Sequence, residues 1–220
     1  MATIAFSTET PMRTLFGSPG SGSAAVEMAL RAAGAEYRLV RASSWEPGPG
    51  LEQLRAVNPL AQIPTLLEPD GTVLTESAAI LLHLALLFPA ADLLPSGPAP
   101  RARALRGLVF IAANCYPAVS ISDYPERWTA SKSAGPRKDV RIAARANLHR
   151  AWDLFADAYA TDPVLAAPVP GALAFLAVIV SQWSGTRAHV KSSRPAFHRL
   201  LAELERHPRL APVLSEHRAA

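Results

Sequence analysis

The chain has 220 residues, of which half are hydrophobic, and a formal net charge of +4. This length and composition suit one large or two small folded domains and exclude a largely disordered chain. The basic residues are mostly arginine and are scattered, without the basic stripe and interleaved aromatic residues that are typical of nucleic-acid-binding surfaces. We therefore expect no nucleic-acid partner.

The cysteine content and the apolar runs exclude further classes of protein. The single cysteine, Cys115, excludes an internal disulfide and a multi-cysteine zinc site. No basic segment followed by an apolar stretch marks a signal peptide, and no uninterrupted apolar run reaches the roughly 18 residues that span a bilayer. No metal or nucleotide motif is found. The sequence predicts a cytoplasmic protein with no metal and no membrane partner.

Strand-like and helix-like patterns alternate over the first 90 residues. Gly34 suits the C-terminal end of a helix, and Ser77 suits the N-cap of another. The order β-α-β-α-β-β-α predicts a small mixed sheet covered by helices. The predicted strands are 13–17 and 36–42, the predicted helices are 23–34, 49–59 and 77–88, and a hairpin is predicted within 63–76.

A proline-rich stretch separates this part from the rest. Residues 89–100 contain four prolines, which exclude a helix interior or a central strand there. Predicted helices follow at 101–118, 136–161, 172–184, 195–205 and 209–217. We expect an α/β domain at 12–89, a linker at 90–97 and an all-α domain at 98–220.

Four stretches in this order carry a family resemblance over almost the whole chain. They are "LFGSPGSGSAAVEMALRAAG" (15–34), "VNPLAQIPTLLEPDGTVLTESAAILLHLALLFP" (57–89), the linker, and "RPAFHRLLAELERHPRLAPVL" (194–214). With them the chain resembles the cytosolic glutathione S-transferase superfamily, and in particular its bacterial members. The resemblance implies a thioredoxin-like α/β N-terminal domain, an all-α C-terminal domain and a homodimer.

The second stretch carries the implied glutathione-binding residues. In the family, the peptide bond that corresponds to Ile63–Pro64 is cis, and the backbone of the residue at Ile63 pairs with the cysteinyl backbone of glutathione. Gln62 would add a polar contact. An ordinary trans turn is the alternative.

Glu76 and Ser77 stand at a strand-to-helix junction, where free N–H groups and the helix dipole favour a bound carboxylate. The resemblance implies that Ser77 and these N–H groups hold the γ-glutamyl carboxylate and that Glu76 holds its ammonium group. The alternative is that Ser77 only caps the helix and Glu76 is solvated.

The first loop departs from the family. Bacterial members with a reactive cysteine have Pro-Gly-x-Cys-Ser, whereas this chain has Gly22 at the cysteine position. The family's loop residue stabilises the glutathione thiolate, because a free thiol is only slightly ionised at neutral pH. Ser21 is the first candidate for this catalytic role and Ser23 the second. Alternatively, Ser23 is only the N-cap of the following helix, and the loop has no donor.

The second-substrate pocket is expected on the first helix of the all-α domain and just beyond it. Consecutive helical residues point about 100° apart, so Asn114 or Tyr116 faces the cleft and Cys115 is expected to be buried and inert. Tyr124, Arg127 and Trp128 would add an aromatic wall and a cation for an anionic group. They could equally form a structural corner.

The resemblance implies a function. The chain is expected to use glutathione as co-substrate and to promote thiolate addition to, or isomerisation of, a small apolar electrophile. The altered loop leaves two alternatives open. One is a glutathione-independent biosynthetic isomerase, dehydratase or cyclase on the same fold, and the other is a non-catalytic binding protein.

Overall fold

The computed structural model describes residues 12–219, and its N-terminal α/β region is built on a four-stranded mixed sheet. The strand order is β2-β1-β3-β4, with β1 parallel to β2 and antiparallel to β3, and with β3 antiparallel to β4. The strands are β1 (Arg13–Gly17), β2 (Tyr37–Arg41), β3 (Thr65–Leu67) and β4 (Val73–Leu74).

Helices cover both faces of the sheet: α1 (Ser23–Ala32), α2 (Pro49–Val57) and α3 (Ser77–Leu87). Successive strand residues point to opposite faces. Accordingly, Leu15 joins the main core with α1 and α3, and Phe16 joins a smaller core with Leu51 and Leu54 of α2. This arrangement fixes the end of β1, where the first loop begins.

The helical region surrounds one completely buried helix. Each of the nine residues of that helix, α7, is buried, and α7 packs against α1, α3 and α4. The main core is therefore continuous between the two regions. The helices are α4 (Pro98–Phe110), α5 (Tyr116–Asp123), α6 (Ala134–Tyr159), α7 (Ala172–Val180), α8 (Thr186–Ser193), α9 (Pro195–Glu205) and α10 (Ala211–Ala219).

The expected fold class, a thioredoxin-like α/β region followed by a helical region, is confirmed. Two elements differ from the sequence prediction. Helix α8 was not predicted, because its polar sequence has no long apolar stripe. Helix α4 already begins at Pro98 and continues through a π-helical turn, Ile111–Cys115, into α5. The boundaries drawn between the two domains stay a prediction.

The π-helical turn has an identifiable cause in Pro117. Proline has no N–H to donate, and its ring collides with the carbonyl of the residue four positions earlier in an α-helix. The wider turn just before it relieves this conflict, and the Tyr116 N–H bonds to the carbonyl of Ile111, five residues back. The turn therefore sets the direction in which Tyr116 leaves the helix.

The run Pro98–Asp123 is long and apolar enough, by length and composition, to cross a bilayer. Three arginines near its start interrupt the apolar residues, so the run does not stand out in the sequence as an uninterrupted apolar stretch. Leu108, Ile111 and Cys115 of this run are fully buried in the main core. One face of the run therefore packs into the main core, and the run is not evidence for a membrane protein.

Candidate active site

A cavity of about 570 Å³ lies between the α/β region and the helical region. Most of the residues predicted from sequence line it. They are Ser21, Gln62, Ile63, Pro64, Glu76, Ser77, Tyr116, Tyr124 and Arg127. Three predicted residues, Ser23, Asn114 and Trp128, are not among its lining residues.

The wall at residues 61–64 is held from behind by a buried polar cluster. The peptide bond Ile63–Pro64 is cis, as expected. The Asn58 side-chain amide donates to the carbonyl of Gln62 at 3.1 Å and to the Thr65 hydroxyl at 2.9 Å, and this hydroxyl donates to the same carbonyl at 2.8 Å. These bonds fix the backbone at Gln62, directly before Ile63, which lines the cavity.

The second wall is the start of α3. Its first N–H groups have no partners within the helix. Glu76 precedes the helix with a φ of 64°, a left-handed conformation that is uncommon for a residue other than glycine and costs energy. The prediction that Ser77 is the N-cap is wrong. Ser77 is the first residue of the helix, no side chain caps it, and its Oγ lies 3.1 Å from the hydroxyl of Tyr116 instead.

The first loop contains a closed set of serine hydroxyl contacts. Ser23 is fully buried, and its hydroxyl donates to the carbonyl of Ser18 at 3.4 Å. The oxygens of Ser21 and Ser23 are 3.0 Å apart. Because the Ser23 hydroxyl proton is used in the hydrogen bond to the Ser18 carbonyl, the Ser21 hydroxyl is the donor in its contact with Ser23. Ser21 therefore lines the cavity with its proton already used inside the loop.

The helical region holds this loop from the other side at Gly20. The indole N–H of Trp183 donates to the Gly20 carbonyl at 3.2 Å, and Nδ1 of His217 accepts from the Gly20 N–H at 3.2 Å. Nε2 of His217 is 2.7 Å from a carboxylate oxygen of Glu27, which is buried in α1. Trp183, His217 and Glu27 could not be predicted as site residues, because no local sequence pattern links residues so distant in the chain.

Tyr116 brings a phenol to the junction of the loop and α3. Its ring is packed edge-on against Trp183, with the centroids 5.5 Å apart. Burial raises the pKa of Tyr116 to about 12, and nearby Glu76 acts in the same direction, whereas the hydrogen bond with Ser77 lowers it. The phenol therefore stays protonated at neutral pH.

The two residues before Tyr116 do not line the cavity. Asn114 is exposed and donates to the carbonyl of Phe110 at 3.0 Å. Cys115 is completely buried, and burial raises the pKa of its thiol to about 12. Because the thiolate is the reactive form, Cys115 is inert.

The mouth of the cavity is aromatic and carries one cation among the residues that line it within 12–219. The guanidinium of Arg127 stacks over the ring of Tyr124 at 4.1 Å from its centroid. Trp45, in the loop after β2, also lines the cavity and is 58 % exposed, a contribution that the sequence analysis missed. Trp128, in contrast, is exposed outside the cavity.

A small mixed sheet whose cis-proline turn and helix start face a helical region defines a protein of the glutathione transferase class. Residues 23–87 match the family model "Glutathione S-transferase, N-terminal domain". The chain is 38 % identical over 131 residues to the uncharacterized GST-like protein YncG of Escherichia coli strain K12, a match that covers 59 % of this chain and 63 % of YncG. It is thus similar over less than two thirds of that relative.

A second relative is matched more completely. The chain is 32 % identical over 146 residues to the glutathione S-transferase GstA of Escherichia coli O157:H7, and the match covers 63 % of this chain and 71 % of GstA. Among solved structures, a glutathione transferase homolog from Sulfitobacter has the same fold, with a TM-score of 0.76 and 22 % identity over 94 % of this chain and 98 % of that one. The chain belongs to the glutathione S-transferase superfamily.

Proposed function

We propose that this protein binds glutathione as co-substrate and promotes addition of its thiolate to, or thiol-assisted isomerisation of, a small apolar electrophile. The observation that carries the proposal is the convergence of the Ile63–Pro64 turn and the start of α3 on one cavity. At about 570 Å³, this cavity has a volume that suits a tripeptide with a small second ligand. The structure from Sulfitobacter contains bound glutathione, which supports the same choice.

The glutathione side uses the two walls in different ways. The backbone N–H and C=O of Ile63 would pair with the cysteinyl residue of the tripeptide in the manner of an added strand. The free N–H groups at the start of α3 would hold the γ-glutamyl carboxylate, where the helix dipole favours negative charge. The Glu76 carboxylate is beside them and would pair with the ammonium group, and Gln62 would add a polar contact.

The electrophile side is the mouth of the cavity. Tyr124, Val119 and Pro117 offer an apolar surface, and Arg127 offers a planar cation. In the residues 12–219 no carboxylate forms an ion pair with Arg127, so its charge is available to a ligand. We infer an apolar or aromatic electrophile, with Arg127 favouring one that carries an anionic group.

Calorimetric titration with glutathione tests the proposal. Wild type should bind in the micromolar to millimolar range, and a Glu76→Gln, Ser77→Ala double variant should bind at least tenfold more weakly, because it lacks the charge and the hydroxyl at the γ-glutamyl subsite. The matched control is Glu52→Gln, which removes an exposed carboxylate on α2 outside the cavity. Cysteinylglycine, which lacks the γ-glutamyl group, should bind poorly to all three proteins. Failure of wild type to bind glutathione would overturn the proposal.

The family also supports proposals about the compartment, the oligomeric state, the bacterial type and the domain boundaries of the whole protein. We propose a cytoplasmic homodimer of a bacterial type, with domains at 12–89 and 98–220. Leu86 and Val109 are large apolar side chains that are more than half exposed, and a subunit interface would cover such side chains. Light scattering coupled to size-exclusion chromatography would test the dimer, because a mass close to 23.4 kDa would exclude it.

A further inference from the structure

Gly22 is a glycine because of a tyrosine in another part of the chain. Its φ of −62° and ψ of −14° are open to every amino acid, so the backbone does not require glycine here. A Cβ at this position would lie 2.6 Å from the hydroxyl oxygen of Tyr116 and 3.3 Å from Oγ of Ser77. The phenol therefore occupies the space into which a side chain of residue 22 would project.

The phenol is held there by packing on several sides. Tyr116 is the first residue of α5, directly after the π-helical turn. Its ring lies against Trp183, and its hydroxyl oxygen is hydrogen-bonded with the Ser77 hydroxyl. A hydroxyl group can accept one hydrogen bond while it donates another. When Ser77 donates to the phenol oxygen, the Tyr116 proton points to a further acceptor in the cavity.

Ser21 and Ser23 have no such free proton, and Ser18, the other serine of the loop, does not line the cavity. The Ser21 hydroxyl donates to Ser23, and the Ser23 hydroxyl donates to the carbonyl of Ser18. The Ser21 oxygen also accepts from the backbone N–H groups of Ser18 and Ser23 at 3.4 and 3.3 Å. Breaking this set would leave buried groups without partners, which is costly.

We propose that Tyr116 of the helical region, and not a serine of the first loop, is the catalytic hydroxyl that stabilises the glutathione thiolate. This inference rests on the proposed function. The phenol lies where a side chain at position 22 would project, and the resemblance places the family's reactive cysteine at this position. A catalytic group has thus moved from the loop to a helix about 90 residues further along the chain.

The chemistry balances without another reactant. On binding, the thiol proton is released to solvent, and Tyr116 keeps its own proton and donates a hydrogen bond to the sulfur anion. The sulfur electron pair then forms the new carbon–sulfur bond, and the leaving group departs with the pair of the bond that breaks. In a simple addition, the carbon next to the attacked one takes up a proton from solvent instead. The high pKa of Tyr116 keeps it a donor throughout.

The decisive measurement is the thiol pKa of bound glutathione. It is obtained from the ultraviolet absorbance of the thiolate as the pH is raised. An ordinary thiol has a pKa of about 8.5. Wild type should lower the thiol pKa of bound glutathione by at least about one unit, and Tyr116→Phe should return this pKa close to the value of free glutathione. The affinity for S-methylglutathione should change less than about threefold in the same variant. The control, Tyr159→Phe, removes a buried hydroxyl that bonds to the carbonyl of Arg103 outside the cavity, and should titrate like wild type.

The outcomes separate the two proposals. Absence of glutathione binding in wild type would overturn both. Binding with a thiol pKa that Tyr116→Phe leaves unchanged would overturn the role of Tyr116 alone, and a pKa that rises with Ser21→Ala instead would return the role to the loop.

A steric cycle gives a second, independent test that does not depend on the chemistry. Gly22→Ala should weaken glutathione binding at least about tenfold, because its methyl group collides with the phenol oxygen. In the Tyr116→Phe background the same substitution should cost less than about threefold. Gly135→Ala is the matched control, since a Cβ there meets nothing within 4 Å. Equal effects of Gly22→Ala in both backgrounds would contradict the placement of the phenol.

Discussion

His217 and Glu27 are 190 residues apart in the chain and share a contact of 2.7 Å between Nε2 and a carboxylate oxygen. Both side chains are nearly buried, with 10 % and 3 % of their surface exposed. The other ring nitrogen of His217 accepts from the N–H of Gly20, so Nε2 carries the proton that is donated to Glu27. A helix from the end of the described chain thus positions the loop that begins the active site.

The first prediction concerns this pair. His217→Ala should reduce the free energy of unfolding by about 3 kcal/mol, because it leaves a buried carboxylate without its main partner. Adding Glu27→Gln to His217→Ala should recover more than half of the loss, since an amide is cheaper to bury than a charge. Urea denaturation of the two variants measures both values. Equal stability of the single and double variants would contradict the prediction.

The second prediction concerns the other side of Gly20. Trp183→Phe keeps an aromatic ring beside Tyr116 but removes the N–H that donates to the Gly20 carbonyl. Loss of one such bond costs about 1 kcal/mol, so glutathione affinity should fall about fivefold and amide exchange at residues 18–22 should speed up. Calorimetry and hydrogen exchange measure the two effects. Trp128→Phe, outside the cavity, should change neither.

The third prediction concerns electrophile choice. Arg127→Gln should abolish the preference for a benzylic chloride that carries a carboxylate over its neutral analogue, measured as the ratio of their kcat/KM values. Arg127→Lys should retain only part of it, because lysine keeps the charge but loses the planar fork and the stacking on Tyr124. A ratio unaffected by Arg127→Gln would remove Arg127 from the second-substrate site.

The fourth prediction concerns acid stability. The imidazoles of His149 and His189 are stacked with centroids 4.3 Å apart. Burial is the main cause that lowers the pKa of His149, and repulsion by His189 is the second. The Ser184 carbonyl and Asp153 raise the pKa by smaller amounts, and Arg145 lowers it slightly. The unfolded chain therefore binds a proton more readily than the folded one, and stability falls as pH drops below about 6.5 and levels off below the lowered pKa.

Substitution of His149 tests this pH dependence. His149→Gln should flatten the loss of stability as pH falls below about 6.5, because it removes the group that takes up a proton on unfolding. Thermal unfolding at a series of pH values would show the difference. His198→Gln, which replaces a half-buried histidine outside the stacked pair, should follow the wild-type curve. Parallel curves for His149→Gln and wild type would contradict the assignment.

The sequence was sufficient for those parts of the fold that local patterns encode. The predicted strands 13–17 and 36–42, the hairpin predicted within 63–76 and Gly34, which follows the end of α1 with a positive φ, all correspond to features of the structure. Helix α8 was missed because its eight residues are mostly polar. The π-helical turn was not predicted. A proline inside a helix, such as Pro117, usually indicates a kink or the end of the helix, and the sequence does not show that a wider turn accommodates it.

The site was predicted in part, and the reason lies in the range of its contacts. The glutathione side depends on residues close together in sequence, such as Ile63, Pro64 and the start of α3, and their grouping was foreseeable. The bond between Ser77 and Tyr116 and the close approach of Tyr116 to Gly22 depend on how α5 packs against another region. No spacing rule within one helix or strand reports such contacts.

The two contacts on Gly20 also bear on how the protein is made. When residues 12–89 have left the ribosome, the chain already has the turn and the helix start that we propose for glutathione. Trp183 and His217, which hold the loop, follow roughly 100 and 130 residues later, which at typical synthesis rates is on the order of 10 s. Early in this interval the nascent chain lacks Tyr116, and throughout it the loop lacks the contacts of Gly20 with Trp183 and His217. Reactive thiolate chemistry would therefore begin only once the helical region has docked.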